Sequence, residues 1–167
     1  GALNRRRLLA GASGSLAASI AAPAISLGAA KINLKLAMAS QASNPIGIRS
    51  QEAIKRVAEQ TNGDVQIQLF PSGQLGAEPD VLKQVRMGAV DMFNVSSIIL
   101  STVVPQSSIS GVGFAFKSYA DVWKAMDGEL GAYIRGQMTR ANLVGLPKIM
   151  DFGFRHLTST SKPIHTP

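Results

Sequence analysis

Leu69-Phe70-Pro71-Ser72-Gly73-Gln74-Leu75-Gly76-Ala77-Glu78 is the stretch that decides the fold. It closes an alternating apolar and polar run, turns on Pro and Gly, and opens a helical pattern that continues to Gly88-Ala89-Val90-Asp91-Met92. Before it, Val65, Ile67 and Leu69 alternate with Gln66 and Gln68, the period of a strand with one buried face lying toward the sheet edge. After it, Glu78-Pro79-Asp80 puts acids and Pro in a first helical turn, where they suit the positive end of the helix dipole. Val81, Leu82 and Val85 line that helix's inner side. Strand, tight turn and helix in succession are the unit from which parallel sheets with crossover helices are built.

Working outward, the same alternation recurs. Ile32 to Met38 reads as a first strand, Ser40 to Pro45 as a polar loop, and the helix that follows starts at Pro45 and stops at Asn62-Gly63. Ala89 to Val95 reads as a third strand, and Ser96 to Thr102 fits either a short helix or a loop. Phe114-Ala115-Phe116 reads as a short strand or apolar turn, and Ser118 to Asp121 as a capping box for a helix through Met126. Asp127-Gly128 separates it from a helix over Glu129 to Ala141 ending near Asn142. Leu143 to Leu146 and Ile149 to Leu157 then read as strands. The expected fold class is α/β.

Of the 167 residues, 46% are hydrophobic, enough for a sizeable core. The net charge is +7, but Arg5, Arg6 and Arg7 stand together near the start; the remainder carries fourteen basic against ten acidic residues, or +4. Those charges are scattered singly with few aromatics between them, which argues against nucleic acid. There is no Cys, which removes disulfides, thiolate ligands and a lipidated cysteine. The uncharged Ala/Gly/Ser-rich stretch from Leu8 to Ala30 follows the arginines and reads as a secretory signal. Its Arg pair ahead of Leu8-Leu9 resembles the twin-arginine pattern, with small-residue cleavage sites near Ala24 and Ala30. A retained membrane anchor is disfavoured by three glycines, four serines and Pro23 within it. The expected organisation is a signal over 1–30, an α/β lobe over 31–150 and a crossover over 151–167, with a periplasmic location.

In open α/β sheets ligands bind where loops leave the carboxyl ends of the strands. That rule gathers Ala39, Ser40 and Gln41 through Asn44, the turn Ser72 to Glu78, and Asn94, Val95, Ser96 and Ser97. It also gathers Arg155, whose guanidinium is suited to bidentate carboxylate binding and would sit within the apolar run Phe152-Gly153-Phe154. Asp151 or Glu78 could equally satisfy Arg155 as an internal ion pair. Ser72, Gly73 and Gly76 read as turn formers, Gln74 and Glu78 as either caps or contacts, and one of Asn94, Ser96 and Ser97 as a helix cap. No P-loop, complete dinucleotide fingerprint, nucleophile elbow or zinc-protease motif occurs. His156 and His165 have no third ligand at metal spacing, so neither enzyme chemistry nor a cofactor is expected. Phe114, Phe116, Tyr119 and Trp123 read as core or cleft wall, core being favoured.

Phe70-Pro71-Ser72-Gly73-Gln74-Leu75-Gly76, Gly88-Ala89-Val90-Asp91, Asp127-Gly128, Gly153-Phe154-Arg155 and Lys162-Pro163-Ile164 together resemble the substrate-binding proteins of tripartite ATP-independent periplasmic (TRAP) transporters, the DctP-type family. The resemblance runs from Lys31 to Pro167 and implies a two-lobe, periplasmic binding protein-like fold. It implies an organic acid as ligand, a C4-dicarboxylate or related acid, and small and large membrane permease subunits as partners. It also implies ligand contact at Arg155, at the loops around Glu78 and Val95 to Ser97, and at Ala39 to Gln41, where Ala39 replaces a polar residue of some relatives. In the family the segment matching Lys162 to Pro167 is followed by a Lys-x-Arg-Val stretch whose Arg pairs with the substrate carboxylate. Most of the second lobe is therefore expected to lie outside these residues. An extracellular sensor module of similar fold, or a fragment without binding activity, are the alternatives.

Overall fold

A computed structural model describes residues 30–151, 153–154 and 159–162. Its elements are β1 (Ile32–Met38), α1 (Pro45–Gln60), β2 (Val65–Phe70), α2 (Glu78–Arg86), β3 (Met92–Asn94), α3 (Ser97–Leu100), a 3-10 helix (Pro105–Gly111), α4 (Tyr119–Met126) and α5 (Glu129–Thr139). The three strands are parallel in the order β2-β1-β3, so among the described residues β2 lies at the sheet edge, in keeping with its alternation. Ile32 pairs with Val65 and Leu36 with both Leu69 and Met92, which puts the apolar alternates of the strands on one face. The opposite face carries Ala37 and Phe93, packed with Val81 of α2 and Val90.

Three helices stop in the same way. Asn62 (φ 49°), Gly88 (φ 78°) and Asn142 (φ 56°) take the left-handed conformation just past the last turn. The next amides, of Gly63, Ala89 and Leu143, then donate back to Ala58 (2.8 Å), Gln84 (2.9 Å) and Met138 (3.1 Å), satisfying carbonyls that the helix itself leaves open. At the other ends, Asn44 caps α1, with Oδ1 accepting from Ile46 N–H, and Ser118 caps α4 by accepting from Asp121 N–H, as the capping pattern predicts. A second core joins Leu82 and Leu100 to Val104, Ala141 and Leu143, seating α3, the 3-10 helix and the end of α5 against α2.

The structure departs from the sequence reading in four places. The third strand spans only Met92–Asn94 rather than Ala89 to Val95, because Gly88 turns the chain and Asp91 uses its carboxylate, not its backbone, to meet β1. The described residues of the two expected late strands form none: Asn142 reverses the chain, Val144 and Leu146 lie exposed, and Pro147 lacks an amide donor. Phe152 and Arg155 to Leu157 lie outside the described residues. Phe114 and Tyr119 are not core; Phe114 is 78% exposed at φ 61° in an open turn, while Phe116 and Trp123 are half-buried. Finally, the 3-10 helix after Pro105 carries no amphipathic period by which to be recognised. The signal segment lies outside the described residues, among which no helix is long and apolar enough to cross a membrane.

Candidate functional site at the carboxyl edge of the sheet

Ala37 and Met38 end the central strand almost fully buried, so the chain must emerge through Ala39, Ser40 and Gln41 at the sheet's carboxyl edge. The β2–α2 turn folds over the same point. Ser72 (φ 54°) and Gly73 (φ 68°) are both left-handed, which aims two successive amides at β1: Ser72 N–H donates to Ser40 O at 2.9 Å and Gly73 N–H to Met38 O at 3.1 Å. Strand pairing therefore continues past the strands themselves. Gln84 Nε2 donates to Leu75 O at 3.0 Å, fastening the turn to α2.

Glu78 opens α2 behind Ala77, which offers no side-chain cap, and is half-buried at the helix's positive end. No hydrogen bond or ion pair holds its carboxylate among the described residues, so the cap reading does not apply. Between β1 and this turn lies a cavity of about 10 Å³ lined by Ala37, Ala39, Gly73, Gly76, Glu78 and Phe93, room for no more than one water.

On the other side of β1, Asn94 stands opposite Met38, so Val95 and Ser96 leave β3 at the same end of the sheet at which Ala39 leaves β1. Ser96 is the cap of α3, its Oγ accepting Ile99 N–H at 3.4 Å. Ser107, 2% exposed, donates its hydroxyl to Ser97 O at 3.0 Å from beneath. Asn94 Nδ2 approaches Met150 Sδ at 3.0 Å, bringing the crossover chain to the end of β3. That chain then turns at Gly153 (φ 88°), whose amide donates to Asp151 Oδ1 at 2.8 Å, and Phe154 lies against Tyr119 with ring centres 4.6 Å apart.

The candidate residues Ala39, Ser40, Gln41, Glu78, Asn94, Val95, Ser96 and Ser97 thus come from three loops that meet at one edge. Arg155 lies outside the described residues, one position beyond Phe154. The loops offer hydroxyls, the side-chain amides of Gln41, Gln74 and Asn94, backbone donors and one carboxylate, and no Lys or Arg occurs in Ala39 to Gln41, Ser72 to Glu78 or Asn94 to Ser97. Among the described residues no group of three or more His, Asp or Glu is arranged to hold a metal. Sequence reasoning missed Gly47 and Ser107. Gly47 sits in the first turn of α1 so close to the loop that a Cβ would stand 2.5 Å from Gln41 O and 2.6 Å from Ala42 O. A Gly two places after a helix-opening Pro was the visible signal; the Ser107 contact across ten residues left none.

Comparison with known proteins identifies the family. A "Solute-binding protein" of Chromohalobacter salexigens is 34% identical over 125 residues, 75% of this chain and 37% of that protein. A TRAP periplasmic solute-binding protein from Xanthobacter autotrophicus, solved with β-D-galacturonate, superposes with a TM-score of 0.64 at 32% identity over 68% of this chain and 38% of its own. Another from Sulfurospirillum deleyianum, solved with succinate, gives 0.63 at 25% identity over 66% and 36%. The chain spans little more than a third of the length of each of these proteins. The model of the family described as bacterial extracellular solute-binding protein, family 7 (DctP), matches residues 36–167. The chain therefore belongs to that family, whose members are solute-binding components of transport.

Proposed function

We propose that this chain supplies the first lobe of an exported receptor that captures a carboxylate-bearing small molecule and delivers it to the membrane subunits of a TRAP transporter. The observation that carries the reading is the convergence of three polar loops on the carboxyl edge of β1, tied there by the Ser72 and Gly73 amides. Such an edge recognises hydroxyl and carbonyl oxygens by fixed donors and acceptors. It lacks a cation of its own, and Glu78 would repel a carboxylate placed beside it. The acid's charge accordingly belongs on the crossover side, where Arg155 follows Phe154 and offers a bidentate partner. The relatives solved with β-D-galacturonate and succinate both hold organic acids, which supports the ligand class.

Capture would work by population shift: the closed form gains contacts from both lobes only when the acid is present, and its differential affinity sets the extent of closure. Export to the periplasm by the Arg5-Arg6-Arg7 signal belongs to the same reading. Calorimetric titration of the complete natural chain with D-galacturonate, D-glucuronate and succinate tests it. Saturable binding of one acid that weakens at least tenfold in Arg155→Ala is expected; unchanged affinity in that variant removes Arg155 from the site.

A further inference from the structure

Gly88-Ala89-Val90-Asp91 is a sequence motif with no part in the ligand edge just described, yet Asp91 reaches the central strand. Its Oδ2 accepts the backbone amide of Lys35 at 2.8 Å, and Lys35 Nζ lies 3.5 Å from Ala89 O. The β1–β3 ladder begins only at Leu36 and runs for three residues. The carboxylate therefore occupies the place of the ladder acceptor that the turn at Gly88 withholds. A three-residue strand is weakly registered by its own bonds, and a slip of one residue would move Phe93 from the core it shares with Ala37, Val81 and Val90 to the opposite face. Phe93 and Asp91 resist that slip from the two sides of the strand's start.

We infer that Asp91 is a positioning residue for ligand capture: by accepting the Lys35 amide it fixes the register in which Asn94 faces Met38 and from which Val95 to Ser97 leave the sheet at its carboxyl edge. The inference rests on the functional reading above. It requires an oxygen acceptor at this distance, not a charge, so Asp91→Asn retains function while Asp91→Ala and Asp91→Glu do not, the latter carrying its oxygens one methylene too far. Loss of one ordinary intramolecular hydrogen bond bounds the fall in affinity at about tenfold.

The test is isothermal titration of the complete natural chain and its Asp91→Ala, Asp91→Asn and Asp91→Glu forms with the acid the wild type binds, well below the melting temperature. Amide exchange at Lys35 is followed in parallel. Asp91→Ala should exchange Lys35 faster and bind about tenfold more weakly, with Asp91→Asn within about threefold of wild type. If Asp91→Ala does not fold, Asp91→Glu supplies the same comparison. A lowered melting temperature with unchanged affinity in the folded variants makes Asp91 merely structural and overturns the inference. A wild type that binds no organic acid overturns the functional reading instead, and Lys35 exchange still reports whether Asp91 holds the strand.

Discussion

Replacing Gly47 by Ala tests whether α1 and the loop after β1 are built against each other. A Cβ at that position would stand 2.5 Å from Gln41 O, 2.6 Å from Ala42 O and 2.8 Å from Ala42 C, all inside the 3.0 Å that real Cβ atoms keep. All three are backbone atoms, so no side chain can swing away; the loop must retreat by about half an ångström or the helix must tilt. Overpacking of this kind costs about 1–3 kcal/mol. Against it stands the helix-propensity gain of Gly→Ala, at most about 1 kcal/mol and smaller at the third helical residue. The clash wins, and the complete chain should lose about 1–2 kcal/mol in urea denaturation, a drop of several degrees in melting temperature. Gly136 is the internal control. It lies exposed in α5 with nothing within 4 Å of a Cβ, so Gly136→Ala should raise stability by about 0.5–1 kcal/mol. Because the displaced residues adjoin Ala39 to Gln41, Gly47→Ala should also weaken acid binding while Gly136→Ala leaves it alone. A Gly47→Ala protein stabilised as much as Gly136→Ala would refute the close approach.

Other substitutions give sharp expectations. Ser107→Ala removes the hydroxyl donor to Ser97 O in a fully buried position but leaves that carbonyl its second donor, the Ser101 amide at 2.9 Å, so it should cost only about 0.5–1.5 kcal/mol by chemical denaturation. Asn44→Ala removes the cap of α1 and should cost about 1 kcal/mol, with Asn44→Ser nearly neutral. Lys31→Ala, which breaks an ion pair to Asp64 whose side chains are 75% and 52% exposed, should change the melting temperature by less than either.

The parallel sheet and its two crossover helices were legible because local signals coincided with tertiary ones. Val65, Ile67 and Leu69 alternate on an edge strand, Pro45 and Pro79 open helices, and Asn62-Gly63 and Gly88 close them in left-handed turns. That the loops after the three strands leave the sheet at one edge followed from topology alone, since the strands are parallel and the first lies between its two neighbours. Where reading failed, the deciding contact was distant in sequence. Ala89 to Asp91 has strand-like apolar content, but Asp91 is committed to Lys35, fifty-six residues away, by a side chain that no period reveals. Leu143 to Leu146 looked like a strand because apolar runs of that length suit a buried strand. Here only Leu143 reaches the core, and Val144 and Leu146 remain in solvent. Phe114 was expected inside because large aromatics usually are, yet it takes the left-handed conformation in an exposed turn just after Gly113.

The claim at the centre is that the carboxyl edge of this sheet holds one end of an organic acid. A crystal structure of the complete natural chain grown with its tightest-binding acid tests it most directly. The account predicts the acid in contact with residues from Ala39 to Gln41, Glu78 and Asn94 to Ser97, its carboxylate paired with Arg155 and turned away from Glu78. An acid bound elsewhere, or a carboxylate lodged against Glu78, would contradict it.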